Sequence, residues 1–278
     1  RAPFVAMGWH PETHFIRHDW DRFNEAMLLY ILALGSPTHA LEPETWTRWT
    51  ETFDKNWGPH YGEPHIGFAP LFGHQYSHVW LDFRGIRDAY GRRRDLDYFE
   101  NSRRATIAQR NYAITNPLGW ADYGADLWGL TACDGPGDFM RTVGGVERQF
   151  YSYSARGPGE RDDGTIAPTA AASSIAFAPE IVVPAIEAMQ RRYGAAIYGR
   201  YGFLDSFNPT LKSAENLKHG RVVPGIGWVD GDYLGIDQGP IVAMMENRDT
   251  GLVWRTMRRN PHIVRGLRRA GFTSGWLE

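Results

Sequence analysis

Cysteine is almost absent: Cys133 stands alone in 278 residues. One thiol excludes an internal disulfide and a cysteine-built zinc site. Lysine is scarce as well, with only Lys55, Lys212 and Lys218, so arginine carries nearly all the positive charge. That charge is balanced, the formal net value being −2. There is no basic surplus to hold a nucleic acid or an anionic membrane surface. No stretch reaches the roughly 18 consecutive apolar residues of a membrane-spanning helix. No signal-peptide pattern opens the chain, but it starts at Arg1 rather than Met, so a processed or truncated start is expected and export stays open. Strand signals are few, confined to hairpin pieces in 146–155 and 221–234. No GxSxG, P-loop or dinucleotide fingerprint lies in a strand-to-helix context, and no cofactor is expected.

What the chain has in abundance is aromatic side chains, 14% of residues with 11 tryptophans. The excess over the needs of a core suggests a surface that stacks flat ligands, and without basic charge sugars fit better than nucleobases. The length suits one large domain or two small ones. Apolar spacing predicts helices over about 20–34, 43–56, 70–82, 96–115, 167–175, 178–193, 238–248, 251–258 and 261–269. Long glycine-rich and proline-rich loops separate them, above all 117–166. Loops of that length in a compact domain are usually functional or disordered. The predicted class is all-α, built of helical hairpins with long loops gathered at one end.

Several residues carry two readings. Glu25 enters the apolar run WDRFNEAMLLYILALGSPTH, residues 20–39. It is either a helix-start carboxylate favoured by the dipole or a general acid at the rim of a cavity. The dipole lowers a carboxyl pKa, whereas an acid catalyst needs it raised, so burial would have to dominate. Asp134, in WGLTACDGPGDF, is a turn-former or a sugar-subsite acid. Asp163, in DDGTIAPTAAAS, is a turn cap or a ligand contact. Asp237 is placed to cap a helix, and Glu246 near that helix's end can face either way. His60, His65, His74 and His78 invite a metal reading. With no HExxH pattern and no evident third ligand, structural or substrate-contact roles are expected instead, and no metal.

Seven segments in order resemble one family: MGWHPE at 7–12, NEAMLLYILALGSPTH at 24–39, PLFGHQYSHVWLDFR at 70–84, DYFENSRRAT at 97–106, WGLTACDGP at 128–136, DDGTIAPTAAASS at 162–174 and GIDQGPIVAMMENRDTGLVW at 235–254. They resemble the glycoamylase-like domain, which includes bacterial endo-β-1,2-glucanases of glycoside hydrolase family 144. They are also similar to the transglycosylating domain of cyclic β-1,2-glucan synthases. The resemblance implies an (α/α)6 barrel whose sugar cleft opens at one mouth. It implies a periplasmic or secreted bacterial enzyme acting on an oligo- or polysaccharide. The family domain carries further helices before the MGW segment, with a Ser-Thr-Ile-Asp-Thr-like motif lining the cleft. Nothing like that motif occurs here, and about nine helices are predicted where the barrel has twelve. The N-terminal helices are therefore expected from a separate piece of the polypeptide, or the barrel is incomplete. Residue by residue, Glu25 matches the proton donor of the Asn-Glu-Ala motif. Asp134 is the candidate second carboxylate within this chain. Trp128, Asp163, Arg84, Asn101, Phe203 and Glu246 are candidate cleft-lining residues. The activity so implied is endo-hydrolysis of β-1,2-glucan. The alternatives are transglycosylation, another glucan linkage, or a non-catalytic glycan-binding fragment.

Overall fold

A computed structural model describes residues 4–278. Among the described residues, ten α-helices carry the fold: α1 Met27–Gly35, α2 Glu44–Glu51, α3 Phe72–Trp80, α4 Ala89–Arg94, α5 Tyr98–Thr115, α6 Pro168–Ala172, α7 Pro179–Tyr193, α8 Gly235–Asp249, α9 Leu252–Arg258 and α10 Pro261–Arg269. Their ends follow local chemistry. Asp97 caps α5 by accepting the Glu100 N–H at 2.8 Å, and Asn260 caps α10 in front of Pro261. The chain is helix-rich rather than purely helical. Among the described residues, short strands form small sheets of two or three strands each. One hairpin pairs Phe139–Val143 with Val146–Phe150 across Gly144 and Gly145, both at positive φ as the tight turn requires. Another joins Ala132–Asp134 to Tyr153–Ala155, and Gly227–Val229 pairs with both Phe207–Asn208 and Arg221–Val223. No helix among the described residues is long and apolar enough to cross a membrane.

The expected helix over 20–34 begins late. Asn24 accepts the Ala26 N–H at 2.9 Å and donates to the Asp21 carbonyl at 3.0 Å, which holds residues 21–26 in turns. Ala26 then stands at the N-cap of α1 with no side chain able to cap it. Ser77 of α3 supplies the missing bond. Its hydroxyl accepts the Leu28 N–H at 2.9 Å and donates to the Glu25 carbonyl at 2.8 Å. A tertiary contact thus fixes both the start of α1 and the residue before it.

Two apolar clusters make the core. One gathers Trp128, Leu130, Phe177, Met189 and Met244 between α5, α7, α8 and the loops. The other stacks Tyr30 on Trp49, ring centroids 4.3 Å apart, with Trp46 and Phe53 at their edges. In this second cluster α1 and α10 cross at glycine. A Cβ at Gly266 would run into the Ile31 carbonyl, and one at Gly35 into the His262 carbonyl. Gly266→Ala is accordingly expected to force α10 off α1 and cost about 1–3 kcal/mol, the usual range for overpacking, read as a drop in unfolding free energy in urea. A loss below about 0.5 kcal/mol would show that the crossing relaxes freely.

Candidate active site

A cleft of about 230 Å³ opens where α3, α6 and the start of α8 meet the loops. Glu25, Gln75, Tyr76, Asp134, Tyr153, Asp205 and Asp237 line it, with apolar patches from Phe72, Leu234 and Ile236. Helix α3 is the strut. Gln75 donates to the Ala170 carbonyl and the Ser174 hydroxyl, both at 2.8 Å, which ties α3 to α6. Tyr76 donates to the Ile236 carbonyl at 2.8 Å, which ties it to α8. With Ser77 holding Glu25, three consecutive residues of α3 place three walls of the cleft.

Glu25 lies two residues ahead of α1, outside the first helical turn where the sequence places it. Burial raises its carboxyl pKa above the usual range, and its Oε2 is buried without a hydrogen-bond partner among the described residues. An upward shift is the direction an acid catalyst needs.

The other carboxylates come from the strand end at Asp134, the loop residues Asp205 and Asp230, and the first turn of α8 at Asp237. Asp134 is held by its backbone: its N–H donates to Asp205 Oδ2 at 2.8 Å, and its carbonyl accepts the Ser206 hydroxyl at 2.8 Å. Oxygens of Asp134, Asp205 and Asp230 lie within 4.8 Å of one another. The ring of His219 stands 4.0 Å from Asp134 Oδ2. Asp205 and Asp237 are within hydrogen-bonding reach of each other; burial and then the Asp237 charge lift the Asp205 carboxyl, and burial and the Asp134 charge lift that of Asp237, both well above the ordinary range. Like charges so placed hold one proton between them.

Both folded-state values are raised, so the native state keeps protons that the unfolded chain has lost. The stability they contribute is present at lower pH and is lost as pH rises through about 6 for Asp237 and about 8 for Asp205. The melting temperature is expected to fall as pH rises from about 4, where the unfolded carboxyls ionise, to about 8, and Asp237→Asn should flatten that fall. An unchanged slope in the variant would rule out the shared proton.

The remaining sequence candidates sit elsewhere. Trp128 is buried in the larger core cluster. Asn101 is fully buried and spends its Oδ1 on the Ile66 N–H at 2.8 Å. Asp163 is fully buried too. It pairs with Arg156 at 2.7 and 2.8 Å and accepts the Tyr151 and Thr165 N–H groups, each at 3.1 Å. Arg84 grips Asp82 through two bonds of 2.8 Å and lies over the Trp254 ring at 4.2 Å. The Phe203 ring is buried against Tyr198, centroids 4.9 Å apart. Glu246, near the far end of α8, bonds the Thr250 hydroxyl. None of these six is a lining residue of the cleft. Asp237 does not cap α8 either; Leu234 holds that position, and the Asp237 side chain turns into the cleft. The four histidines are no cleft residues: burial pushes His65 down to about 4, and His78 is bonded to the Ser102 hydroxyl at 3.0 Å. Asp205, Asp230 and Tyr153 are the additions. Asp205 had a readable signal, an acid set in the apolar run FLDSF, residues 203–207.

Known proteins are similar to this chain in sequence and fold. An exo β-1,2-glucooligosaccharide sophorohydrolase (non-reducing end) of Parabacteroides distasonis is 28% identical over 293 residues, which take in 96% of this chain and 36% of the relative. The solved structure of an endo-β-1,2-glucanase from Chitinophaga pinensis, a complex with sophorotriose and glucose, is similar with a TM-score of 0.80 and 32% identity over 99% of this chain and 60% of that one. A β-1,2-glucanase structure from Parabacteroides distasonis gives 0.77 and 28%, covering 97% and 37%. The chain thus spans between about a third and three-fifths of the length of these relatives. The profile of the glycoamylase family, described as "Putative glucoamylase", matches residues 17–261. With that match over most of its length, the chain belongs to the glycoamylase family.

Proposed function

We propose that this chain carries the catalytic cleft of a glycoside hydrolase that cleaves β-1,2-glucan, with endo action. The observation that carries the reading is the carboxyl set: Glu25, its carboxyl pKa raised by burial and its Oε2 without a hydrogen-bond partner among the described residues, in one cleft with the carboxylates of Asp134, Asp205 and Asp237. Glycoside hydrolysis needs one carboxylic acid for the leaving oxygen and one carboxylate on the other side of the sugar ring. Glu25 gives its proton to the bridging oxygen as the C1–O bond breaks. A water adds to C1 and loses its proton to Asp134, with inversion at that carbon. Asp134 fits this part because its side chain is partly open to the cleft, whereas Asp205 and Asp237 are engaged with each other. Tyr153, cross-strand neighbour of Asp134 and 60% exposed, offers a ring on which a glucose unit stacks.

The linkage is the feature common to the relatives, one exo-acting and one endo-acting by name. The fold reading is the larger, C-terminal part of an (α/α)6 barrel, one domain over 1–278, completed by helices from the preceding polypeptide. Relatives longer than this chain support it. So does a run of exposed apolar side chains on neighbouring helices: Leu29 and Leu32 on α1, Trp80 on α3, Val242 on α8 and Leu252 on α9. The test is a linkage panel. Linear β-1,2-, β-1,3- and β-1,4-glucans are incubated with the polypeptide that carries this chain, and reducing ends and product sizes are followed. Short oligosaccharides of mixed size from the β-1,2-glucan alone support the reading. Release of a disaccharide only corrects endo to exo, and release from another linkage corrects the substrate.

A further inference from the structure

Beyond the cleft, the segment that supplies Leu234 and Ile236 to its wall begins with Tyr233, which is 38% exposed. Its ring meets Tyr201 edge to face, centroids 5.4 Å apart at 88°, and Tyr201 is 61% exposed. These rings are fixed in place. Tyr201 sits at the tip of the hairpin that pairs Tyr198–Gly199 with Gly202–Phe203. A Cβ at Gly199 would run into the Tyr233 hydroxyl, so glycine there lets the hydroxyl lie against the hairpin. Gln238, in the first turn of α8, donates to the Phe203 carbonyl at 2.7 Å and pins the hairpin to the helix that carries Asp237.

We propose that Tyr201 and Tyr233 form an outer binding platform for a neutral β-glucan chain that continues out of the cleft. The inference rests on the glycan reading of the cleft. Two exposed rings, Tyr233 one residue from the cleft wall and Tyr201 on the hairpin beside it, offer ring surface to sugar rings, with the Tyr201 hydroxyl for their edges and the Arg200 guanidinium 5.2 Å over the Tyr201 ring. Chain length is the discriminating variable, because only a long substrate reaches from the cleft to the platform. The experiment compares KM for polymeric β-1,2-glucan with KM for its trisaccharide, in the wild type, Tyr201→Ala, Tyr233→Ala, and Tyr201→Phe. The alanine variants are expected to raise the ratio of polymer KM to trisaccharide KM by about tenfold, the equivalent of about 1.4 kcal/mol. Tyr201→Phe, which keeps the ring, should restore most of it. An unchanged ratio in both alanine variants, or a phenylalanine variant as impaired as the alanine one, overturns the platform. A wild type that neither binds nor cleaves either substrate overturns the glycan reading instead.

Discussion

Glu25→Gln is expected to lower kcat on β-1,2-glucan by about three orders of magnitude while KM moves by less than about threefold. Removing a positioned proton donor typically costs 10²–10⁴ in rate, and Glu25 is the donor placed at the leaving oxygen. Glutamine keeps the size and polarity of the side chain, so sugar contacts survive and the loss falls on the chemical step. The backbone of residue 25 is held by Ser77, not by its own side chain, so the variant should fold. The pH profile adds a second check. Burial lifts the Glu25 carboxyl, so the alkaline limb of kcat/KM should report its deprotonation and vanish in the variant. A variant with a tenth or more of wild-type kcat would remove Glu25 from the role of acid.

Asp163→Ala is expected to be the most damaging single change to stability, at about 3–5 kcal/mol, because it strands a fully buried Arg156 without its counter-charge. The effect reaches the cleft as well. Arg156 also donates to the Cys133 carbonyl at 2.7 Å, one residue before Asp134. Losing Asp163 frees the strand that presents Asp134, so activity should fall in parallel with stability. Denaturant unfolding reads the first effect directly. A loss under about 1 kcal/mol would mean that Arg156 is held by its carbonyl partners alone.

How much of this was legible in the sequence depends on whether a signal was local. Helices α5, α7, α9 and α10 fall where periodicity and caps put them, since Asp97, Pro179, Gly251 and Asn260 act on their own neighbours. The start of α1 is different. Its apolar run reads as a helix from residue 20, but an Asn24 turn and a hydroxyl from α3, 49 residues away from its partner Leu28, decide where it begins. The site follows the same division. Glu25 and Asp134 are cleft residues, each marked by a motif. Trp128, Asp163 and Asn101 are marked by motifs just as strongly, yet their side chains point into the core. A motif identifies residues a fold depends on and does not say which way they face. Conversely, Asp205 and Asp237 are 32 residues apart and form a pair only because the 203–211 loop and α8 meet. No single-residue pattern encodes that meeting. Asp237 read alone is an ordinary helix-start acid.

The most direct test of the central claim is a crystal structure of the Glu25→Gln variant with a β-1,2-linked glucooligosaccharide. The account predicts a glycosidic oxygen within hydrogen-bonding distance of the side chain at position 25, with Asp134 on the far side of the adjoining sugar ring. A saccharide seated away from position 25, or one with no carboxylate across that bond, would contradict it.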